Sequence, residues 1–167
     1  MPRLFLAVPV RLEAYEAIQE AFTEHLRGRW SDPEQLHMTL AFLGEEYFES
    51  DVVSRLDSVD MRFEPSDIDR LGYFPGGRIF HAAAEAAPSL EALSHRIAAA
   101  LELKNHTFTP HVTLMRVKAL RDEETFFQKL ETHRGQILGG MEPYSMLFES
   151  TLTPEGARYR PLKMWPA

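Results

Sequence analysis

Leu36-His37-Met38-Thr39-Leu40-Ala41-Phe42-Leu43-Gly44 holds a pattern, His-x-Thr-Leu, that returns 74 positions later at His111-Val112-Thr113-Leu114. A composition like this one would yield two copies roughly one time in a thousand. No other histidine in the chain has a threonine two places on. In a β-strand residues i and i+2 emerge on one face, so each copy presents an imidazole and a hydroxyl together. The intervening apolar residues are then expected to face the core: Leu36, Met38, Leu40 and Phe42 in the first copy, Val112 and Leu114 in the second. The duplication implies two related halves whose His-Thr faces meet across a groove.

Helix and strand signals surround both copies. Residues 3–9 and 36–43 read as strands. Leu12, Tyr15, Ile18, Phe22 and Leu26 recur at steps of three and four, which predicts an amphipathic helix over 11–26. Ser50 is expected to cap a short helix carrying Val52, Val53, Leu56 and Val59. Two extended segments should flank Phe74-Pro75-Gly76-Gly77 within 62–84, and Pro88 should open a helix with Leu90, Leu93, Ile97 and Leu101 on one face. A strand at 111–117, a helix at 121–131 and two strands within 144–164 complete the order. It lacks a regular βαβ rhythm and indicates an α+β fold.

At 167 residues the chain suits one domain, 1–167, with a proper core. Its 44% hydrophobic and 26% charged content is that of a globular protein. Zero cysteines exclude disulfides, thiolate metal sites and a cysteine nucleophile, and suit a reducing cytoplasm. The run Leu4–Val8 is cut by Pro9 and Arg11, too short for a signal peptide or a membrane span. A net charge of -7 argues against coating a polyanion through bulk charge. The charge is uneven, however. Glu45 to Asp69 holds nine acids against Arg55 and Arg62, whereas Arg70 to Arg121 holds seven bases against three acids. The second segment could wall an anion site.

Histidine titrates near neutral pH, so two on opposite sides of a substrate can divide the work of base and acid. Two threonine hydroxyls can donate hydrogen bonds to the non-bridging oxygens of a phosphate. Neither histidine has a carboxylate beside it, no His-Glu-x-x-His occurs, and no P-loop occurs, so neither a metal nor ATP hydrolysis is implied. These parts fit attack of water on a phosphodiester. Of the other histidines, His25, His95 and His133 are expected on solvent-facing helix surfaces. His81 and His106 are expected to be structural, although each could reach the groove.

Three segments carry a resemblance: Arg3-Leu4-Phe5-Leu6-Ala7, the stretch Leu36–Gly44, and Phe108-Thr109-Pro110-His111-Val112-Thr113-Leu114. Together with Tyr159-Arg160-Pro161-Leu162 near the C-terminus, they resemble the two-histidine (2H) phosphoesterases. Within that superfamily they are most similar to the RNA 2′,3′-cyclic phosphodiesterases, also called LigT-like 2′-5′ RNA ligases. The resemblance implies two pseudo-symmetric lobes, each an antiparallel sheet backed by helices, with the active-site cleft between them. It implies hydrolysis of a 2′,3′-cyclic phosphate at an RNA 3′-end, or of a nucleoside 2′,3′-cyclic phosphate, to a 2′-phosphate. Neither metal nor cofactor is expected, and the chain is expected to be a cytoplasmic monomer with no membrane association. His37 matches the proton donor, His111 the proton acceptor, and Thr39 and Thr113 the phosphate-binding hydroxyls.

Arg116 is a further candidate for the phosphate, but strict alternation sets it opposite His111, so its reach depends on a bulge. Met115 stands where the family commonly has a small residue, and its bulk is expected to narrow the cleft. Tyr73, Phe74 and Phe108 could stack on a terminal base, with core packing the simpler expectation for each. Alternatives are 2′-5′ RNA ligation at the same site and a non-catalytic module that binds RNA ends or nucleotides. Retention of both histidines speaks against the module, since Arg or Lys would serve binding better.

Overall fold

Strands β3 (His37–Gly44) and β7 (His111–Leu120) contain the two His-x-Thr copies and lie side by side at the middle of the molecule. The computed structural model describes residues 2–166. The fold is α+β, with sheet order β10-β9-β1-β3-β7-β6-β5. The first lobe contains β1 (Arg3–Arg11), β3, β9 (Ser145–Thr153) and β10 (Gly156–Trp165). The second contains β7, β5 (Arg70–Phe74), β6 (Ile79–Ala83) and β2 (Leu26–Trp30). Both sheets are antiparallel. Two short strands, β4 (Asp67–Ile68) and β8 (Gly139–Met141), pair with each other and tie into the end of β1.

Helices α1 (Tyr15–Phe22), α2 (Glu49–Leu56), α3 (Pro88–Leu101) and α4 (Glu123–Thr132) back the sheet. In α1 and α4, Phe22 and Phe126 pack on Phe80 of β6, with ring centroids 5.0 and 5.9 Å away. In α3, the buried Ser94 Oγ donates to the Leu40 carbonyl of β3 at 2.9 Å. Two connecting helices therefore support the other half's central strands: α1 follows β1 but packs under β6, and α3 follows β6 but packs under β3. That exchange interlocks the halves.

The lobes join through one strand pair, Met38 opposite Val112, both fully buried. Beyond Val112, the same edge of β7 pairs with β2 instead. The chain passes from β2 to β3 through a clipped loop. Ser31 donates its N–H to the Leu114 carbonyl at 2.8 Å and its hydroxyl to the Thr113 carbonyl at 2.9 Å. Asp32 then caps a short 3-10 turn, Pro33–Gln35, accepting from the Glu34 N–H at 2.9 Å.

Two expectations fail here for one reason. Phe42 is 75% exposed, while Leu43 is buried in its stead. Pairing steps from Leu6–Ala41 to Ala7–Thr39, so Leu40 is an extra residue and the alternation inverts after it. The same step occurs on β7, from Phe80–Met115 to His81–Thr113, with Leu114 extra. Met115 is therefore turned into the core rather than into the cleft, and Arg116 is turned out. The helix expected over 11–26 is confined to Tyr15–Phe22. Leu12 and Leu26 are buried as their spacing required, but Leu26 opens β2 with Gly28 and Trp30 inward and Arg27 and Arg29 outward.

Truncating Met38→Ala at the single interlobe pair should cost about 2–5 kcal/mol of stability, as for other buried Met-to-Ala changes. Urea denaturation monitored by tryptophan fluorescence measures it, and an unchanged midpoint would show that the lobes do not depend on this contact.

Candidate active site

The register at Met38–Val112 fixes what stands on the outer face. His37 lies across from Thr113, and Thr39 across from His111. The two histidines are diagonal neighbours, with Cβ atoms about 7–8 Å apart in such a register. The pseudo-two-fold axis suggested by the repeat thus runs through this one pair. Thr39 and His111 both line a cavity of about 300 Å³, walled by Phe42 and by the loop from Leu103 to Thr109.

Each imidazole is held the same way. His37 Nδ1 donates to the Gln35 carbonyl at 2.8 Å, and His111 Nδ1 donates to the Thr109 carbonyl at 2.9 Å. Both acceptors lie two residues upstream. A carbonyl cannot donate, so Nδ1 carries the proton in each ring and Nε2 is left with its lone pair. A neutral ring in this tautomer can accept a proton at Nε2, and a charged one can release a proton from it. The repeat therefore extends from side chains to the bonds that aim them.

The surroundings of the two rings differ. His37 packs between Phe5 and Tyr159, with centroids 5.1 and 5.2 Å away. Burial pushes its pKa below the usual histidine value, the positive charge of His111 adds to this, and the Gln35 bond opposes it. His111 instead lies against Phe74 and His81, at 5.2 and 5.7 Å. His81 is only 7% exposed, and its Nδ1 has no partner among the described residues. Burial, followed by the charge of His111, pushes its pKa down to about 4. Its ring stacks on Phe74 at 4.0 Å and fits only because residue 72 is glycine. A Cβ there would stand 2.5 Å from His81 Cε1.

Tyr159 and Arg116 complete the rim. Arg116 reaches the His111 face by virtue of the bulge, and its charge opposes the upward push that burial gives the Tyr159 pKa. Tyr159 is anchored through its N–H, which donates to Gln35 Oε1 at 3.1 Å. The residue whose carbonyl aims His37 therefore also holds the tyrosine beside it. Neither Gln35 nor the rim position of Tyr159 is visible as a motif, because both depend on the fold of the distant β9–β10 hairpin.

Other histidines depart from expectation. His25 is 2% exposed rather than solvent-facing, because α1 ends before it. Its Nδ1 bonds to the Arg121 carbonyl at 3.0 Å. His133 is half-buried against Phe22, and His95 is exposed as expected. His106 lines the cavity wall and donates from Nε2 to Ser94 at 2.6 Å, which pins its loop to α3. Among the stacking candidates, Tyr73 packs on Phe126 and Phe127, and Phe108 on the core. Phe74 alone touches a site histidine. Phe42, missed because it was assigned to the core, is the exposed aromatic in the cavity.

Two lobes that bring paired His-x-Thr segments to one cleft define a two-histidine phosphoesterase. Residues 8–138 match the 2′-5′ RNA ligase superfamily, and the chain belongs to it. It is 26% identical to an RNA 2′,3′-cyclic phosphodiesterase of Methanocaldococcus jannaschii, over 98% of this chain and 99% of that protein. It is 29% identical to the protein of the same name from Aquifex aeolicus, over 88% and 86%. The crystal structure of E. coli LigT in apo form superposes with a TM-score of 0.78 at 25% identity, covering 98% of this chain and 96% of that one.

His81 makes stability depend on pH. Its folded pKa, about 4, lies below the unfolded value near 6.5, so the unfolded chain takes up the proton first. The contribution is complete above about pH 6.5 and is lost as pH falls towards 4, by up to about 3 kcal/mol. His37 acts in the same direction. His81→Phe should flatten this dependence in urea titrations at pH 7 and 4.5, and an unchanged slope would refute the buried neutral ring.

Proposed function

We propose that the chain hydrolyses 2′,3′-cyclic phosphate at RNA 3′-ends, and nucleoside 2′,3′-cyclic phosphates, to the 2′-phosphate. The observation that carries this reading is the pair of identically tethered imidazoles, each with Nε2 unbonded, set diagonally across the Met38–Val112 pair. In the reaction, His111 Nε2 accepts a proton from water as its oxygen attacks phosphorus. The P–O3′ bond breaks, and His37 Nε2–H protonates the departing O3′. Atoms and charge balance: one water is consumed, one proton is taken up and one is released. Thr39 and Thr113 hydroxyls donate to the non-bridging oxygens, where negative charge accumulates. Arg116 adds positive charge at the same edge, and the exposed ring of Phe42 offers a face to the terminal base.

The donor role asks His37 to be protonated although burial disfavours its charge. A bound phosphate anion acts the opposite way and favours the charged form of His37. Among the described residues no three His, Asp or Glu side chains gather closely enough to share an ion, and the two-imidazole chemistry proposed here calls on no metal. Residues 1–167 act in this reading as one bilobal domain, a monomer with both histidines in the same chain. No helix of the described residues is long and apolar enough to cross a membrane; a cytoplasmic location is part of this reading and suits the cysteine-free composition.

Incubation with a nucleoside 2′,3′-cyclic phosphate in EDTA, followed by phosphorus NMR, should show the 2′-phosphate accumulating. His37→Ala and His111→Ala should each lower the rate roughly 10²–10⁴-fold. A 3′-phosphate product would reverse the two roles, and full activity in both variants would end the proposal. The depressed His37 pKa gives a further test. The alkaline limb of kcat/KM, which reports the free enzyme, should lie below about pH 6.5, with the kcat limb at higher pH. Coincident limbs would remove His37 as the donor.

A further inference from the structure

The mechanism above leaves a group of cations unused. On β2 and β7, Arg29 stands directly opposite Arg116, and both point to the outer face, because their neighbours Trp30 and Met115 pack inward. Arg27 and Lys118 continue that face, both exposed. Among the described residues none of the four has a carboxylate partner, and Asp32 at the end of β2 is occupied by Arg158 at 3.6 Å. Like charges directly opposite across a ladder are destabilising by up to about 1 kcal/mol, and no ion pair among the described residues offsets that here. In a chain with a net charge of -7 such a cluster is a local exception that suits an external anion.

Position and direction narrow the ligand. Arg116 and Lys118 lie on the strand that carries His111 and Thr113, on the same face, with Arg27 and Arg29 on the neighbouring β2, and the line from His111 to Lys118 runs roughly 20 Å. It stops where Asp122, Glu123 and Glu124 begin α4. The opposite lobe supplies an internal control. Seventy-four positions upstream of Arg116 and Lys118 stand Phe42 and Gly44, so the related strand β3 carries no such charge. A ligand anchored by one phosphate at the histidines therefore meets aromatic groups on one side and a row of cations on the other. That matches a nucleic-acid strand whose terminal nucleoside faces the first lobe while its backbone leaves over the second.

We propose that the outer face of β2 and β7, through Arg27, Arg29 and Lys118, binds the phosphodiester backbone of single-stranded RNA 5′ to the reacting cyclic phosphate. The proposal rests on the phosphodiesterase reading and gives that enzyme a preference for polynucleotide ends over mononucleotides. It also makes the preference salt-dependent, because each phosphate neutralised releases counterions.

The test compares the native protein with the triple variant Arg27→Gln, Arg29→Gln, Lys118→Gln. Substrates are a nucleoside 2′,3′-cyclic phosphate and a hexaribonucleotide ending in the same group. In the native protein kcat/KM for the hexamer should exceed that for the mononucleotide by about tenfold or more at low salt, converging as salt rises. The variant should lose most of this advantage while its mononucleotide kcat/KM stays within about twofold. A variant that keeps the preference, or a native protein with none, would overturn the proposal. Failure to hydrolyse the mononucleotide at all would instead refute the function itself. Fluorescence anisotropy with a labelled hexamer bearing a 2′-phosphate then decides the surface separately. The slope of log K against log salt should fall by about 0.7 for each cation removed. Equal binding by both proteins, or equally good competition by polyglutamate, would contradict RNA as the ligand.

Discussion

The cleft depends on a single contact, the buried pairing of Met38 with Val112. It is the only register point between β3 and β7 among the described residues, and it sets each histidine opposite the other copy's threonine. A slip of one residue would set one strand's His-Thr pair on the opposite face from the other's. The loop Ser31–Gln35 reinforces the junction: Ser31 clips to the Thr113 backbone, and Gln35 aims His37 and anchors Tyr159. The geometry of the candidate site and lobe association are thus maintained by the same few residues.

A second constraint is the bulge shared by the two central strands. Leu40 and Leu114 are extra residues at equivalent positions, and each inverts the alternation just past its motif. The pattern His-x-Thr-Leu followed by an apolar residue is what permits this. Both Leu40 and Ala41 are buried, as are both Leu114 and Met115, so two consecutive side chains enter the core. What emerges next differs, Phe42 on one strand and Arg116 on the other. The halves are symmetric in their His-Thr pairs and asymmetric in what flanks them.

Much of this was legible in the sequence. The two motifs supplied the histidines and threonines of the candidate site, and the mixed helix and strand periods supplied the α+β class. The errors share a cause. Strict alternation placed Phe42 in the core, put Arg116 on the wrong face and set Met115 in the cleft, because a bulge leaves no signal in one strand considered alone. Likewise the apolar spacing of Leu12 to Leu26 reported burial correctly but not the change from helix to strand after Phe22. His25 was misjudged because burial of a polar ring depends on partners elsewhere in the chain, here the Arg121 carbonyl, whereas His81 is buried as a structural residue, fitted by Gly72 and Phe74.

The central claim is that both site histidines are held as Nδ1–H tautomers by the carbonyls two residues upstream, leaving two Nε2 atoms for proton transfer. Long-range ¹⁵N–¹H NMR of the histidine rings at neutral to mildly alkaline pH reads this directly. The account predicts protonated Nδ1 and unprotonated Nε2 for His37 and for His111. An Nε2–H tautomer at either one would contradict it.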